Sequence, residues 1–267
     1  IWLSSFPKNG NTWLRVLLTN YLFPDNKLFS NLKYIREYPK KFFFEDLYSD
    51  NNPNLQRLDP YKYFILSQDK LNLNNKVNFL KTHSCCGTIN NHKFTNKQNT
   101  LAFVYIIRDP RSVAVSYAHH SNISYEKSAD IITNENNSAI DEDKVLTFRS
   151  SWKTNYLSWL KSPYPRIIVK YEDLHKETPI NFKKILKFIN QFMEIDINEN
   201  KISKTINKCS FNNLKLEEES FGFSERWGKE NFFRKGSIDE WKSKLSLDLI
   251  KLIEGKFKKE MIELGYL

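Results

Sequence analysis

Apolar positions along the chain follow two rhythms. Short β-rich runs at Ile1 to Phe6, Val77 to Thr82, Leu101 to Ile107 and Arg166 to Tyr171 predict strands, the first of them buried and ending at Pro7. Helical spacing predicts the segments between and after them. Thr12 to Leu22 carries Trp13, Val16, Leu17 and Tyr21 on one face, and Arg111 to His120 forms a second helix. Thr178-Pro179 opens a third, with Phe182, Ile185, Leu186, Ile189, Phe192 and Met193 at helical intervals. Ile250, Ile253, Phe257, Met261 and Leu264 mark a C-terminal helix. These stripes read as core. Strands alternating with helices predict an α/β fold, a parallel sheet covered on both faces with ligands at the carboxyl ends of its strands.

Two stretches break the alternation. Residues 24–76 are polar and aromatic-rich, including Tyr38, Phe42, Phe43, Phe44 and Tyr48, and residues 122–143 are polar. Both are expected to be loops or lids around a substrate. No linker or internal repeat divides the chain, so residues 1–267 are read as a single domain.

Composition adds a charge. Lys and Arg number 41 against 31 Asp and Glu, a net +10. Either an anionic partner or the bias of an Asn- and Lys-rich chain explains that excess. Three cysteines are too few for a disulfide scaffold and fit a reducing compartment. The longest apolar run, Leu101 to Ile107, is far short of the ~18 residues of a membrane helix. A cytoplasmic protein without a membrane segment is expected, although a chain that opens on Ile1 leaves room for a signal or anchor upstream.

The chemistry begins at FPKNGNTW, Phe6 to Trp13, a loop between a strand and a helix. The first N–H groups of a helix lack internal partners and point at an anion, which the helix dipole also favours. Lys8 adds a full charge, and Asn11 and Thr12 add side-chain donors that can cap the helix. An ordinary capped helix is the plainer reading of the loop alone. It is not a Walker A loop, because Lys8 precedes Gly10, and Gly222 with Gly228-Lys229 has the wrong spacing for one.

FPKNGNTW resembles the P-K-S-G-T-T-W loop of sulfotransferases that use 3′-phosphoadenosine 5′-phosphosulfate (PAPS), and further motifs follow in that family's order. IIRDPRSVAVSY, Ile106 to Tyr117, resembles the segment whose Arg and Ser hold the donor 3′-phosphate, here Arg108 and Ser116. LKTHS, Leu80 to Ser84, resembles the segment that carries the catalytic base, here His83. FFRKGSIDEWK, Phe232 to Lys242, resembles the R-K-G-x-x-G-D-W-K segment that closes over the 3′-phosphate and carries over Arg234, Lys235 and Gly236. Asp239 and Glu240 depart from that pattern, which leaves the loop after Gly236 open and brings an extra carboxylate near it. VKYEDL resembles the segment whose Tyr contacts adenine, here Tyr171. Cys209-Ser210-Phe211 falls where the family shows Thr-Ser-Phe, with Cys209 a weaker donor than a hydroxyl.

The resemblance spans Phe6 to Lys242. It implies a three-layer α/β/α, P-loop-NTPase-like parallel sheet and transfer of a sulfuryl group from PAPS to a hydroxyl or amine, releasing adenosine 3′,5′-bisphosphate (PAP). On that basis His83 takes the acceptor proton, Lys8 neutralises the leaving oxygen, Lys81 supports the sulfuryl oxygens and Ser116 restrains Lys8 until the acceptor arrives. Lys8, Asn9, Gly10, Asn11 and Thr12 hold one phosphate, Trp13 stacks on adenine, and Arg108, Ser116 and Arg234 to Gly236 hold the other. Ser210 and Phe211 lie near adenine. No metal, nucleic acid or membrane is expected, and the acceptor is not specified. The family's dimerisation stretch is poorly matched by Lys242 to Lys251, so a dimer of that kind is not expected.

Two other readings compete. A nucleotide kinase would use similar loop geometry but needs a differently placed Lys and an acidic magnesium site. A non-catalytic binder of nucleic acid or of a sulfated polymer would draw on the +10 charge and on aromatics at 15%. His83, Cys85, Cys86 and His92 cluster in sequence without a zinc-site spacing.

Overall fold

In the computed structural model, which describes residues 1–24, 27–47, 60–226 and 231–267, five parallel strands form the central sheet. These are β1 (Trp2–Ser4), β2 (Ile35–Glu37), β3 (Phe79–Thr82), β6 (Phe103–Ile107) and β9 (Arg166–Lys170), in the order β2-β3-β1-β6-β9. Two antiparallel pairs lie outside it, β4 (Thr88–Ile89) with β5 (His92–Lys93), and β7 (Ser138–Ile140) with β8 (Leu146–Phe148). Period-two alternation sorts the sheet's side chains onto two faces. Trp2, Leu80, Phe103, Tyr105 and Ile107 enter one apolar core, while Leu3, Phe79, Val104 and Ile106 enter the other.

Helices cover both faces, which makes three layers. The first core is closed by α3 (Pro110–Ser121), α4 (Tyr125–Thr133), α5 (Trp152–Leu160) and α11 (Leu247–Glu263), through residues such as Val113, Ile132, Trp152, Trp159, Ile253 and Phe257. The second is closed by α1 (Asn11–Leu22), α7 (Thr178–Ile189), α8 (Glu199–Lys208) and α9 (Phe211–Phe221), through Leu14, Leu18, Phe182, Ile185, Ile202 and Leu214. Shorter helices α2 (Phe64–Asn72), α6 (Tyr171–Lys176) and α10 (Trp241–Lys244) connect these parts. Among the described residues, no helix is long and apolar enough to cross a membrane.

The structure corrects several expectations. Residues 24–76 are not simply a loop or lid. They contain β2, an edge strand of the main sheet, and α2, and Tyr38, Phe43 and Phe44 are buried in the core beside Phe64 and Phe94. Three residues of β2 are too few to show a period, and this hid the strand. Phe42 and Tyr34 are exposed, and Tyr48 lies outside the described residues. Residues 122–143 likewise contain α4 and β7. The helix opened by Thr178-Pro179 ends at Ile189, so Phe192 and Met193 pack from the turn beyond it. The strand in the Leu101 run starts at Phe103, and Leu101 itself is 47% exposed.

Candidate active site

The carboxyl ends of β1, β3 and β6 open into one cleft of about 870 Å³. Parallel pairing sets this geometry. Leu3 registers with Lys81 and Ser4 with Thr82, so the residues after β1 and after β3 emerge side by side. Of the residues singled out from sequence, Lys8, Gly10 to Trp13, Lys81, His83, Arg108, Ser116, Tyr171, Phe211 and Arg234 to Gly236 all line the cleft.

The loop after β1 is shaped by its backbone. Lys8 and Gly10 have φ of 66° and 98°, and a Cβ on Gly10 would overlap the Tyr171 ring and lie 3.3 Å from Ile106. Gly10 occupies the cap position of α1 with no side-chain cap, which corrects the expectation for Asn11 and Thr12. Asn11 instead donates to Leu3 O and Ser5 Oγ, and Thr12 donates to Glu225. Asn9 is fully buried, donates to Ile106 O and does not line the cleft. The first amides of α1 are therefore left without a side-chain cap at the cleft.

Aromatic rings and cations surround this loop. Trp13 is oriented by a 3.3 Å bond from its Nε1 to Cys209 O and meets Tyr171 edge-on at 5.9 Å. Arg108 lies over the Tyr171 ring at 4.5 Å and donates to Lys8 O and Ser237 O, while its buried Nε has no partner. Gly236 turns with φ of 64° against the Phe211 ring, and this settles the loop that Asp239 and Glu240 left open. Glu240 binds both Arg234 and Lys235, and these cations hold its carboxyl below the ordinary range although burial opposes the charge. Ser112 anchors the same loop through Ile238 O. Ser210 caps α9 by accepting from Asn213 N and does not line the cleft.

Lys8 rests its ammonium 3.9 Å from the centre of the Phe232 ring. No hydrogen bond joins it to Ser116 among the described residues. Burial lowers its pKa to about 7, aided by Arg108 and Lys81 and opposed by Glu225. His83 follows β3, and its Nδ1 lies 2.8 Å from Ser5 O. A carbonyl only accepts, so Nδ1 carries the proton and Nε2 keeps its lone pair. Burial and the Lys81 charge push the imidazolium pKa well below its usual value, leaving the ring neutral.

Five residues here escaped the sequence reading. Glu37, in register with Lys81, pairs with it at 2.8 Å; burial opposes its charge, yet the Lys81 ammonium holds its carboxyl well below the usual range. Glu225 pairs with the buried Arg15. Arg149 follows β8. Asn155, fully buried, donates to both His83 O and Arg149 O, at 2.9 and 2.8 Å. His120 meets the Phe232 ring edge-on at 5.5 Å, and burial with the charges of Lys8 and Lys81 lowers its pKa to about 3. His120 alone had a signal, since Ser112, Ser116 and His120 recur every four residues and so share one face of α3.

Among the described residues, no group of three or more His, Cys, Asp or Glu could hold a metal ion. Gly222 ends α9, and Gly228-Lys229 lies outside the described residues.

A family model described as a sulfotransferase domain matches residues 1–265. Cytosolic sulfotransferase 14 of Arabidopsis thaliana is 26% identical over 260 residues, covering 91% of this chain and 70% of that protein. The amine sulfotransferase of Oryctolagus cuniculus is 24% identical over 174 residues, covering 62% of this chain and 56% of that protein. The crystal structure of a mouse sulfotransferase complexed with PAP superposes with a TM-score of 0.62 at 20% identity, covering 98% of this chain and 84% of that one.

Proposed function

The chain belongs to the sulfotransferase family, and from that premise we propose that it moves a sulfuryl group from PAPS to a hydroxyl or amine acceptor and releases PAP. The observation that carries the reading is the meeting of three features in one cleft: the uncapped α1 loop with Lys8, the Arg108 to Gly236 cradle, and a neutral His83 with Nε2 free to accept a proton. The cradle fits a nucleotide bisphosphate. It offers a buried guanidinium Nε without a partner, two positive-φ glycines pressed against aromatic rings, and cations from three separate segments.

In this reading Lys8 and the α1 amides take the phosphosulfate end of the donor, and Arg108, Ser116, Arg234, Lys235 and Gly236 take the 3′-phosphate. Trp13, Tyr171 and Phe211 take the adenine. The donor supplies an activated sulfuryl group. His83 accepts the acceptor proton at Nε2 while Ser5 O holds Nδ1–H and the ring's orientation. Lys8 meets charge on the departing phosphate oxygen, and Lys81, anchored by Glu37, faces the sulfuryl oxygens. In this reading these two lysines fill the charge-neutralising role. The free cysteines fit a reducing compartment, as does the word cytosolic in the Arabidopsis relative's name.

Thermal unfolding with added nucleotides tests the proposal. A ligand at a hundred times its Kd stabilises by ~2.7 kcal/mol, a shift of several degrees in Tm for a chain of this length. PAP is expected to stabilise and ATP with Mg²⁺ to have little effect. Stabilisation by ATP with Mg²⁺ alone would favour the kinase reading and overturn this one.

A further inference from the structure

Phe42, Tyr117, His120, Asp141 and Arg149 line the same chamber as His83. Of the carboxylates that line the cleft, Glu37, Asp141, Glu225 and Glu240 are paired with cations, while Glu142 and Asp143 are exposed. Glu37 pairs with Lys81, Asp141 with Lys40 at 2.9 Å, and Glu225 with Arg15. Arg149 is different. Its Nη1 donates to the Tyr117 hydroxyl at 3.3 Å, its Nε is buried without a partner, and no carboxylate pairs with it among the described residues. A half-buried guanidinium in that state retains strong donors for a ligand.

Its position is also fixed. Arg149 N donates to Asn137 O, and Arg149 O accepts from Asn155 Nδ2 and from Cys85 Sγ. The same Asn155 amide donates to His83 O, and its Oδ1 accepts from Tyr105 OH. One buried side chain thus ties the backbone of Arg149 to that of the base. The charge of Arg149 also helps hold both His83 and His120 neutral. The sheet ends, Asn155 and the β7–β8 pair therefore set a cation beside a neutral base inside one chamber.

We propose that Arg149 is a specificity residue that binds an anionic group, a carboxylate, phosphate or sulfate ester, carried by the acceptor in the same chamber as the hydroxyl that faces His83. The proposal rests on the sulfotransferase reading above and names the acceptor class for it. His120 and the Tyr117 hydroxyl supply neutral hydrogen-bonding groups beside that anion. Phe42, 42% exposed at the mouth, offers a flat apolar surface for the body of the acceptor. A small hydroxy acid or an acidic polymer carries the same chemistry.

The test uses matched acceptors in the presence of PAP for binding and of PAPS for turnover. The probes are 4-hydroxyphenylacetate, its neutral amide, and an oligosaccharide containing uronate. The wild type should bind and turn over at least one of the anionic probes about tenfold or more better than the amide. Preference for 4-hydroxyphenylacetate indicates a small acid, and preference for the oligosaccharide a polymer. Arg149→Leu should erase the preference through KM, Arg149→Lys should restore part of it, and PAP affinity should stay unchanged in both. Equal or absent binding of the anionic and neutral probes overturns the proposal. So does a uniform loss of kcat in Arg149→Leu, which would place Arg149 on the transferring group. Loss of PAP binding by the wild type itself would instead overturn the donor reading.

Discussion

The two halves of the cleft are built by different means. In the proposed reading the donor half is made mostly of backbone and rings: positive-φ turns at Lys8 and Gly10, carbonyls that hold Arg108, and Gly236 seated against Phe211. The acceptor half is made of side chains drawn from distant short segments, with carboxylates already matched to lysines, as in Glu37 with Lys81 and Asp141 with Lys40. Backbone turns confine sequence to a few residue types, because only those types tolerate the φ values and close approaches involved. Paired side chains can be exchanged as pairs. On the proposed reading, the donor site is therefore the more tightly constrained of the two.

The contrast can be broken in order of expected effect. His83→Ala should lower turnover by ~10²–10⁴ while leaving PAP affinity within about twofold, since the base touches only the acceptor side in this account. Parallel loss of turnover and PAP binding would merge the two halves. Gly10→Ala should cost about 2–4 kcal/mol of stability and weaken PAP, because its φ of 98° and the Tyr171 ring exclude a Cβ. Gly87→Ala, where a Cβ meets open space, serves as the comparison and should change Tm little.

Glu37→Gln leaves the buried Lys81 ammonium without its counter-charge and should cost about 1–3 kcal/mol, less than a fully buried pair because Glu37 is partly exposed. The Glu37 carboxyl is held below its ordinary value in the folded state, so its contribution is complete above about pH 4.5 and is lost as pH falls. Denaturation curves for wild type and variant should therefore differ by a constant amount from pH 5 to 7 and converge in acid.

The smallest effect concerns Lys8. With a pKa near 7 it loses its proton just above neutrality, and a bound anion favours the charged form. PAP binding above pH 7 then takes up a proton, and affinity should fall about fivefold between pH 7 and pH 8. The ligand's own phosphates, with second pKa near 6, add little over that range. Calorimetry on Lys8→Met should show the slope abolished.

The same difference explains what could be read from the sequence. The strands β1, β6 and β9, the helix α1 and the donor loop are each encoded in contiguous residues, so apolar runs and FPKNGNTW, IIRDPRSVAVSY and FFRKGSIDEWK identify them. Apart from LKTHS, which carries Lys81 and His83, the acceptor half has no such local signal. Glu37 lies on a three-residue strand with no visible period, and Arg149 follows another three-residue strand. Asn155 acts through backbone carbonyls of residues 72 and six positions away, and no motif records such a contact. The polar look of residues 24–76 concealed Tyr38, Phe43 and Phe44, which entered the core by tertiary packing rather than by pattern.

The central claim is that the donor half recognises a nucleotide by its 3′-phosphate. Titration calorimetry of the wild type with PAP and with AMP, which lacks that phosphate, tests it most directly. The account predicts that PAP binds at least a hundredfold more tightly and that Arg108→Ala or Arg234→Ala removes most of the difference. Equal affinity for the two nucleotides would contradict it.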